Sequence, residues 1–331
     1  MTVLHNAGIL GLGSATGDRI LTNGDLERLV DTSDEWIVER TGISERRVLG
    51  PGKATSDLAW EAARKALETS GVCAAELDLI VVATVTPDMP FPATACLLQD
   101  RLGARKAAAF DLEAACSGFL YGLVIASQFI RLGTYRYVLV IGAETLSRIT
   151  DWTDRSTCVL FGDGAGAAVL GPVGTRAGVL GWSLGADGSG ADLLKMPAGG
   201  SRMPASTETV ARRLHYIRMN GREVFKRAVT LMQDAGMMAL RNAGLDAGQV
   251  DLLIPHQANL RIIEALRKKL RMPREKVFWN LDRYGNMSSA SVPVALEEAL
   301  QAGRVRPGDV LLMVAFGAGL TWGAVVMRWP G

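Results

Sequence analysis

The sequence predicts an α/β protein built from two copies of one unit. Three observations carry that expectation. Short apolar runs alternate with helical patterns along the whole 331-residue chain. Those runs lack polar alternation, as strands buried on both faces do. The second half also repeats landmarks of the first in the same order.

Strands are expected at 79–85, 107–112, 138–143, 166–170, 250–254, 310–315 and 323–327, where Val, Ile, Leu and Ala run together. Helices are expected between them, at 56–69, 91–102, 118–132, 222–242, 260–270 and 291–302. Gly71-Val72 followed by Leu77-Asp78-Leu79-Ile80 matches Gly244-Leu245 followed by Val250-Asp251-Leu252-Leu253, a shift of 173 positions from Gly71 to Gly244. The turn around Cys116 matches the turn around Asn286 at a shift of 170, and both following helices end in a glycine, Gly133 and Gly303. Phe161-Gly162 through Gly166–Leu170 echoes Gly319 through Gly323–Met327. The expected halves are 1–175 and 176–331. Packed about a pseudo-dyad, they bring equivalent turns together, so Cys116 and Asn286 are expected to approach each other.

Composition narrows the function. With 48% apolar and 21% charged residues the chain can bury a large core. A net charge of +2 gives no general nucleic-acid-binding surface. The four cysteines (Cys73, Cys96, Cys116, Cys158) form no CxxC pair, which fits a reducing compartment. The first residues carry no signal-peptide pattern. No apolar run approaches the roughly 20 residues of a membrane span. The expectation is a cytoplasmic protein with no membrane span and no nucleic-acid partner.

Cys116 ends a strand pattern and opens an apolar helix pattern, 118–130. A thiol at a helix N-terminus meets unpaired N–H groups and the positive dipole end, which lowers its pKa from the usual roughly 8.5. Ala114, Ala115, Ser117 and Gly118 leave room for a substrate at the sulfur. A buried inert thiol is the competing reading. Of the three histidines, His5, His215 and His256, the last is best placed, where a buried strand meets a helix. Asn286 by itself reads as a turn residue; its match to Cys116 is what singles it out. The turn Phe316–Gly323 is rich in small residues, whose backbone N–H groups can hold an oxyanion.

Together these residues resemble a known family. Cys116 in Ala-Ala-Cys-Ser-Gly-Phe, His256 in His-Gln-Ala-Asn-Leu-Arg-Ile and Asn286 in Tyr-Gly-Asn-Met-Ser resemble the Cys–His–Asn triad of β-ketoacyl-acyl-carrier-protein synthase III. The segments at 36–43, 161–166 and 316–323 extend the resemblance over nearly the whole chain. It implies a thiolase-like five-layer αβαβα fold of two pseudo-symmetric halves. It also implies the initiating condensation of type II fatty-acid synthesis, with an acyl group passing from acyl-CoA to Cys116. Malonyl-acyl carrier protein then loses CO2 under His256 and Asn286 and attacks that acyl group. The resemblance gives oxyanion donors at Cys116 and Ala318 and a wall at Phe316. It implies CoA contacts from Trp36, Arg40, Arg155, Gly221, Phe225 and Asn259. Carrier-protein docking falls to Lys226, Arg261, Lys268 and Lys269. The acyl pocket has Leu160 and, lent across a homodimer interface, Phe91. No metal and no cofactor are implied, acyl-CoA being a substrate. Two positions depart from the pattern: Ser117 stands where Ala is common, and Ala318 where Gly is common.

Related chemistries are separated by residues. The elongating condensing enzymes need a second histidine, and His5 and His215 lie outside the matching motifs. Thiolase needs a cysteine in the last turn, and 316–323 has none. A papain-like hydrolase shares the order Cys, His, Asn but places its cysteine near the N-terminus in another motif. A same-fold binding module would lack the triad. A secondary-metabolism relative with another primer stays open, because primer length follows cavity volume around Phe91, Leu160 and Phe225.

Overall fold

A computed structural model describes residues 6–330; His5 lies outside them. In chain order the strands are β1 (Asn6–Thr16), β2 (Arg19–Thr22), β3 (Glu45–Val48), β4 (Leu79–Ala83), β5 (Ala108–Leu112), β6 (Val138–Thr145), β7 (Asp163–Val173), β8 (Gly178–Ala186), β9 (Leu194–Lys195), β10 (Arg218–Met219), β11 (Leu252–Pro255), β12 (Val310–Gly317) and β13 (Thr321–Arg328). The helices are α1 (Asn23–Glu27), α2 (Asp34–Thr41), α3 (Thr55–Ser70), α4 (Thr94–Arg101), α5 (Gly118–Arg131), α6 (Arg155–Cys158), α7 (Thr207–Ala211), α8 (Gly221–Asn242), α9 (Leu260–Lys269), α10 (Leu281–Tyr284) and α11 (Ser291–Gln301).

Two sheets make the frame. The first runs β1-β7-β6-β4-β5 and the second β8-β13-β12-β11. Read in that direction they correspond strand for strand, and a single bridge from Leu253 to Val277 stands where the second sheet's fifth strand would lie. The first sheet takes its strands from 6–173 and the second from 178–328.

Strand alternation sorts the side chains into layers. Leu79, Val81, Val138 and Val140 face a central core, while Ile80, Val82, Leu139 and Ile141 face outward beneath α3 and α4. In the second sheet Leu252, Ile254, Leu311 and Met313 join the central core, and Leu253, Leu312 and Val314 lie beneath α8 and α9. Helices α5 and α11 fill the middle, each touching strands of both sheets. The result is the five-layer αβαβα order. Both faces of each sheet are covered, which is why the strands read as unbroken apolar runs.

The structure corrects the sequence reading in three places. β1 and β8 were not expected, because their glycines mask the strand pattern. Those glycines let helices close on the sheet: a Cβ on Gly13 would sit 2.4 Å from Ala62 O of α3, and one on Gly181 would sit 2.6 Å from Ala239 O of α8. The helix expected at 91–102 begins at Thr94 instead. Pro87, Pro90 and Pro92 restrict the preceding chain, and the Asp111 carboxylate accepts from the Thr94 and Ala95 N–H groups at 2.7 and 2.8 Å. The third correction is the register of the repeat. A 3₁₀ turn at Ala115–Ser117 precedes α5 and one at Ser288–Ala290 precedes α11, again a shift of 173. Ala115 and Ser288 share a left-handed φ, 46° and 47°. The counterpart of Cys116 is therefore Ser289, not Asn286.

Candidate active site

Cys116 lies in the tight turn between β5 and α5, half-buried. Despite the corrected register, Cys116, His256 and Asn286 line one cavity of about 340 Å³. Strand β11 carries the chain to His256, whose backbone N–H donates to Val314 O at 2.7 Å. The imidazole is 3% exposed and its Nδ1 has no hydrogen-bond partner among the described residues. Burial pushes its pKa down to about 3, so the ring is neutral at ordinary pH.

Asn286 is held by its backbone and its side chain. Its N–H donates to Leu160 O at 2.8 Å, and its carbonyl accepts from Gly162 N at 3.0 Å. Its Oδ1 accepts from the Ser288 N–H at 2.8 Å. That contact settles the amide orientation: the oxygen is engaged, and the NH2 remains to donate.

The expectation of an acidic thiol is overturned. Burial pushes the Cys116 thiol up to about 12, and the nearby Glu144 carboxylate adds to the rise. The dipole of α5 offers partial charge only, and among the described residues no cation stands beside the sulfur to offset its desolvation. The resting site therefore pairs a neutral thiol with a neutral imidazole.

Two backbone N–H groups at neighbouring turns are unengaged. Neither the Cys116 N–H nor the Ala318 N–H donates to another described residue. The turns carrying them touch: a Cβ on Gly317 would lie 2.6 Å from Cys116 N. Ala318 keeps an ordinary negative φ, so the methyl group in place of a glycine is accommodated. Phe316, 5% exposed, lines the same cavity.

The other candidates divide. Trp36, Arg40, Gly221, Phe225, Asn259 and Leu160 all line the cavity. Arg155 lies outside the lining, with its guanidinium 4.9 Å from the Trp36 ring centre and its Nη1 donating to Asp31 O at 2.8 Å. Arg40 approaches the same ring at 5.4 Å. Asn259 caps α9, accepting from Arg261 N at 2.8 Å, and its NH2 donates to Arg40 O at 3.0 Å, so it also ties α2 to α9. Lys226, Arg261, Lys268 and Lys269 are exposed; Lys226 pairs with Glu223 at 2.8 Å, and Arg261 lies over Phe225 at 6.0 Å. Phe91 is 84% exposed and does not reach the cavity of its own chain.

The sequence reading missed Glu144, at the end of β6. It is fully buried, with a pKa raised by burial to about 6. It accepts from Thr86 Oγ1 at 2.7 Å, Val85 N at 3.1 Å and Ser289 Oγ at 3.1 Å. A carboxylate directly after an all-apolar strand was the available signal. The carboxylate thereby joins the end of β4 to the turn before α11.

Comparison with known proteins agrees with this geometry. Residues 110–188 match the 3-oxoacyl-[acyl-carrier-protein] synthase III family, and residues 240–329 match the C-terminal region of the same family. The chain is 61% identical over 323 residues to the β-ketoacyl-[acyl-carrier-protein] synthase III of Caldanaerobacter subterraneus subsp. tengcongensis, covering 98% of each. It is similar to the crystal structure of the Thermus thermophilus synthase III at a TM-score of 0.92 and 50% identity, over 98% of this chain and 99% of that one. It also superposes on the priming β-ketosynthase of the R1128 polyketide pathway with a TM-score of 0.92 at 37% identity, covering 100% and 98%.

Proposed function

The chain belongs to the 3-oxoacyl-[acyl-carrier-protein] synthase III family, the condensing enzymes that initiate fatty-acid synthesis, and we propose that it works through Cys116, His256 and Asn286. The observation that carries this assignment is their convergence on one cavity, with the Cys116 N–H at its wall unengaged.

In the proposed first half-reaction the Cys116 sulfur attacks the carbonyl carbon of acyl-CoA. The thiol proton leaves as the S–C bond forms, and CoA departs as its thiol. The tetrahedral oxyanion lies between the Cys116 and Ala318 N–H groups, each such donor supplying about 3 kcal/mol. Burial keeps the Cys116 sulfur protonated at rest, and its proton ends on the departing CoA sulfur.

In the second half-reaction malonyl-acyl carrier protein loses CO2. The electron pair of the broken C–C bond moves into an enolate, whose oxygen accepts from His256 and from the Asn286 NH2. A neutral imidazole suits this role, since it donates a hydrogen bond without delivering its proton outright. The carbanion carbon then attacks the acyl-Cys116 carbonyl, the thiolate leaves, and 3-ketoacyl-acyl carrier protein is released. Phe316 keeps water from the acyl-enzyme. The reaction needs no cofactor beyond its substrates.

Around this centre we assign Trp36, Arg40, Arg155, Gly221, Phe225 and Asn259 to CoA. A planar base entering between Trp36 and Arg155 must first lift the guanidinium off the ring. Lys226, Arg261, Lys268 and Lys269 are assigned to the acidic carrier protein and Leu160 to the acyl pocket. We assign the protein to the cytoplasm as a homodimer. No helix among the described residues is long and apolar enough to cross a membrane. β5 is a half-exposed edge strand, and Phe91 and Met89 are exposed; a second copy would cover that edge, with Phe91 closing the partner's pocket.

The test is intact-mass spectrometry after mixing the protein with a panel of acyl-CoAs, then with malonyl-acyl carrier protein. The expected result is an acyl adduct on Cys116 that the carrier substrate discharges as 3-ketoacyl product. Failure of every primer with folded protein would refute the fatty-acid reading in favour of a secondary-metabolism donor.

A further inference from the structure

Ser117 and Ala318, the two positions that depart from the family pattern, are linked in the structure through Thr321. Ser117 is fully buried, and its hydroxyl does not cap α5. Its Oγ lies 2.7 Å from Ala114 O and 2.8 Å from Thr321 Oγ1. Thr321 Oγ1 in turn lies 2.8 Å from Ala114 O and 3.0 Å from Ala318 O.

Each hydroxyl carries one proton, so two protons serve two carbonyls on facing turns. Ser117 shares its proton between Ala114 O and Thr321 Oγ1, which leaves the Thr321 proton free for Ala318 O. Removing the Ser117 hydroxyl leaves Thr321 to choose between them, and Ala114 O is the nearer acceptor. Ala318 then loses the only side-chain hydrogen bond to its carbonyl among the described residues, the one that ties the 317–319 turn to Thr321. Its N–H is one of the two donors at the nucleophile turn.

We infer that Ser117 is a positioning residue, which acts through Thr321 to hold the 317–319 turn so that the Ala318 and Cys116 N–H groups converge on one oxygen. The inference rests on the reading of that pair as the oxyanion site. It goes further in giving a task to a side chain that touches no reacting atom.

The measurement compares Ser117→Ala with the unaltered protein in two reactions of Cys116. Acylation by acyl-CoA, followed by rapid quench and intact mass, needs the oxyanion donors. Alkylation by iodoacetamide needs the thiol but develops no oxyanion. At saturating acyl-CoA the variant is expected to acylate on the order of tenfold more slowly, since the donor is displaced and not deleted. Alkylation and the thermal midpoint stay unchanged. Thr321→Val is expected to show the same selective loss, and the double variant no further loss, because the two hydroxyls act as one unit. Undiminished acylation in Ser117→Ala overturns the inference, and so does a matching loss of alkylation. Should Ser117→Ala fail to fold, Thr321→Val carries the same comparison. An unaltered protein that no acyl-CoA acylates refutes the reading of Cys116 itself, and this inference with it.

Discussion

The chemistry of individual residues here is set by burial more than by sequence neighbours. Cys116 stands at a helix N-terminus, yet desolvation wins and its thiol rises to about 12. Its iodoacetamide alkylation rate should therefore keep climbing with pH past roughly 8.5, where an exposed cysteine levels off; a plateau there would show an acidic thiol. Cys116→Ser should give no acyl adduct by mass. His256 shifts the other way, from 6.5 to about 3. A depressed histidine contributes stability that is fully present above its unfolded pKa and lost as pH falls through the folded one. That contribution should fade between about pH 6.5 and 3, and His256→Gln should flatten this part of the stability profile, measured by urea denaturation at pH 7 and pH 4. In activity, His256→Ala should slow malonyl decarboxylation far more than acylation, and equal losses would remove it from the second half-reaction.

At the scale of elements, the site depends on turns that touch through backbone. Gly317 ends β12 against the turn that holds Cys116, and a Cβ there would lie 2.6 Å from Cys116 N. Backbone cannot yield as a flexible side chain does. Gly317→Ala should cost about 1–3 kcal/mol in urea denaturation and slow acylation with it. The face of α9 tells a different story. Ile262, Ile263 and Leu266 are buried beneath it while Arg261, Lys268 and Lys269 stand in solvent. A charge reversal on that outer face leaves the packing intact. Arg261→Glu is expected to raise the KM for malonyl-acyl carrier protein and leave acyl-CoA kinetics unchanged, read from separate titrations of the two substrates.

The whole molecule is two sheets with a shared helical layer, and the site lies where the halves meet. Cys116 comes from the first unit and His256 and Asn286 from the second, so neither half can assemble it alone. In the proposed homodimer the edge strand β5 extends the same logic to a second copy. Phe110→Lys on that strand should give a monomer by light scattering and lose activity, since Phe91 then cannot reach a partner. A variant that stays dimeric would place the interface elsewhere.

Much of this was legible in the amino-acid sequence. Unbroken apolar runs such as 138–143 pointed to strands covered on both faces, and landmarks repeated in the same order pointed to two units. The motifs around Cys116, His256 and Asn286 pointed to the family, because each lies within a few residues of its own recognisable context. Contacts between distant segments were beyond it. Ser117 and Thr321 are 204 positions apart, and no local pattern announces their hydrogen bond. The glycines of β1 and β8 read as breakers until α3 and α8 lay against them. The sign of the thiol shift needed the amount of water around the sulfur, which only packing decides. Local order and residue chemistry follow from neighbours along the chain. Desolvation, close approach and the meeting of the two turns belong to the tertiary structure, because they arise between segments that only folding brings together.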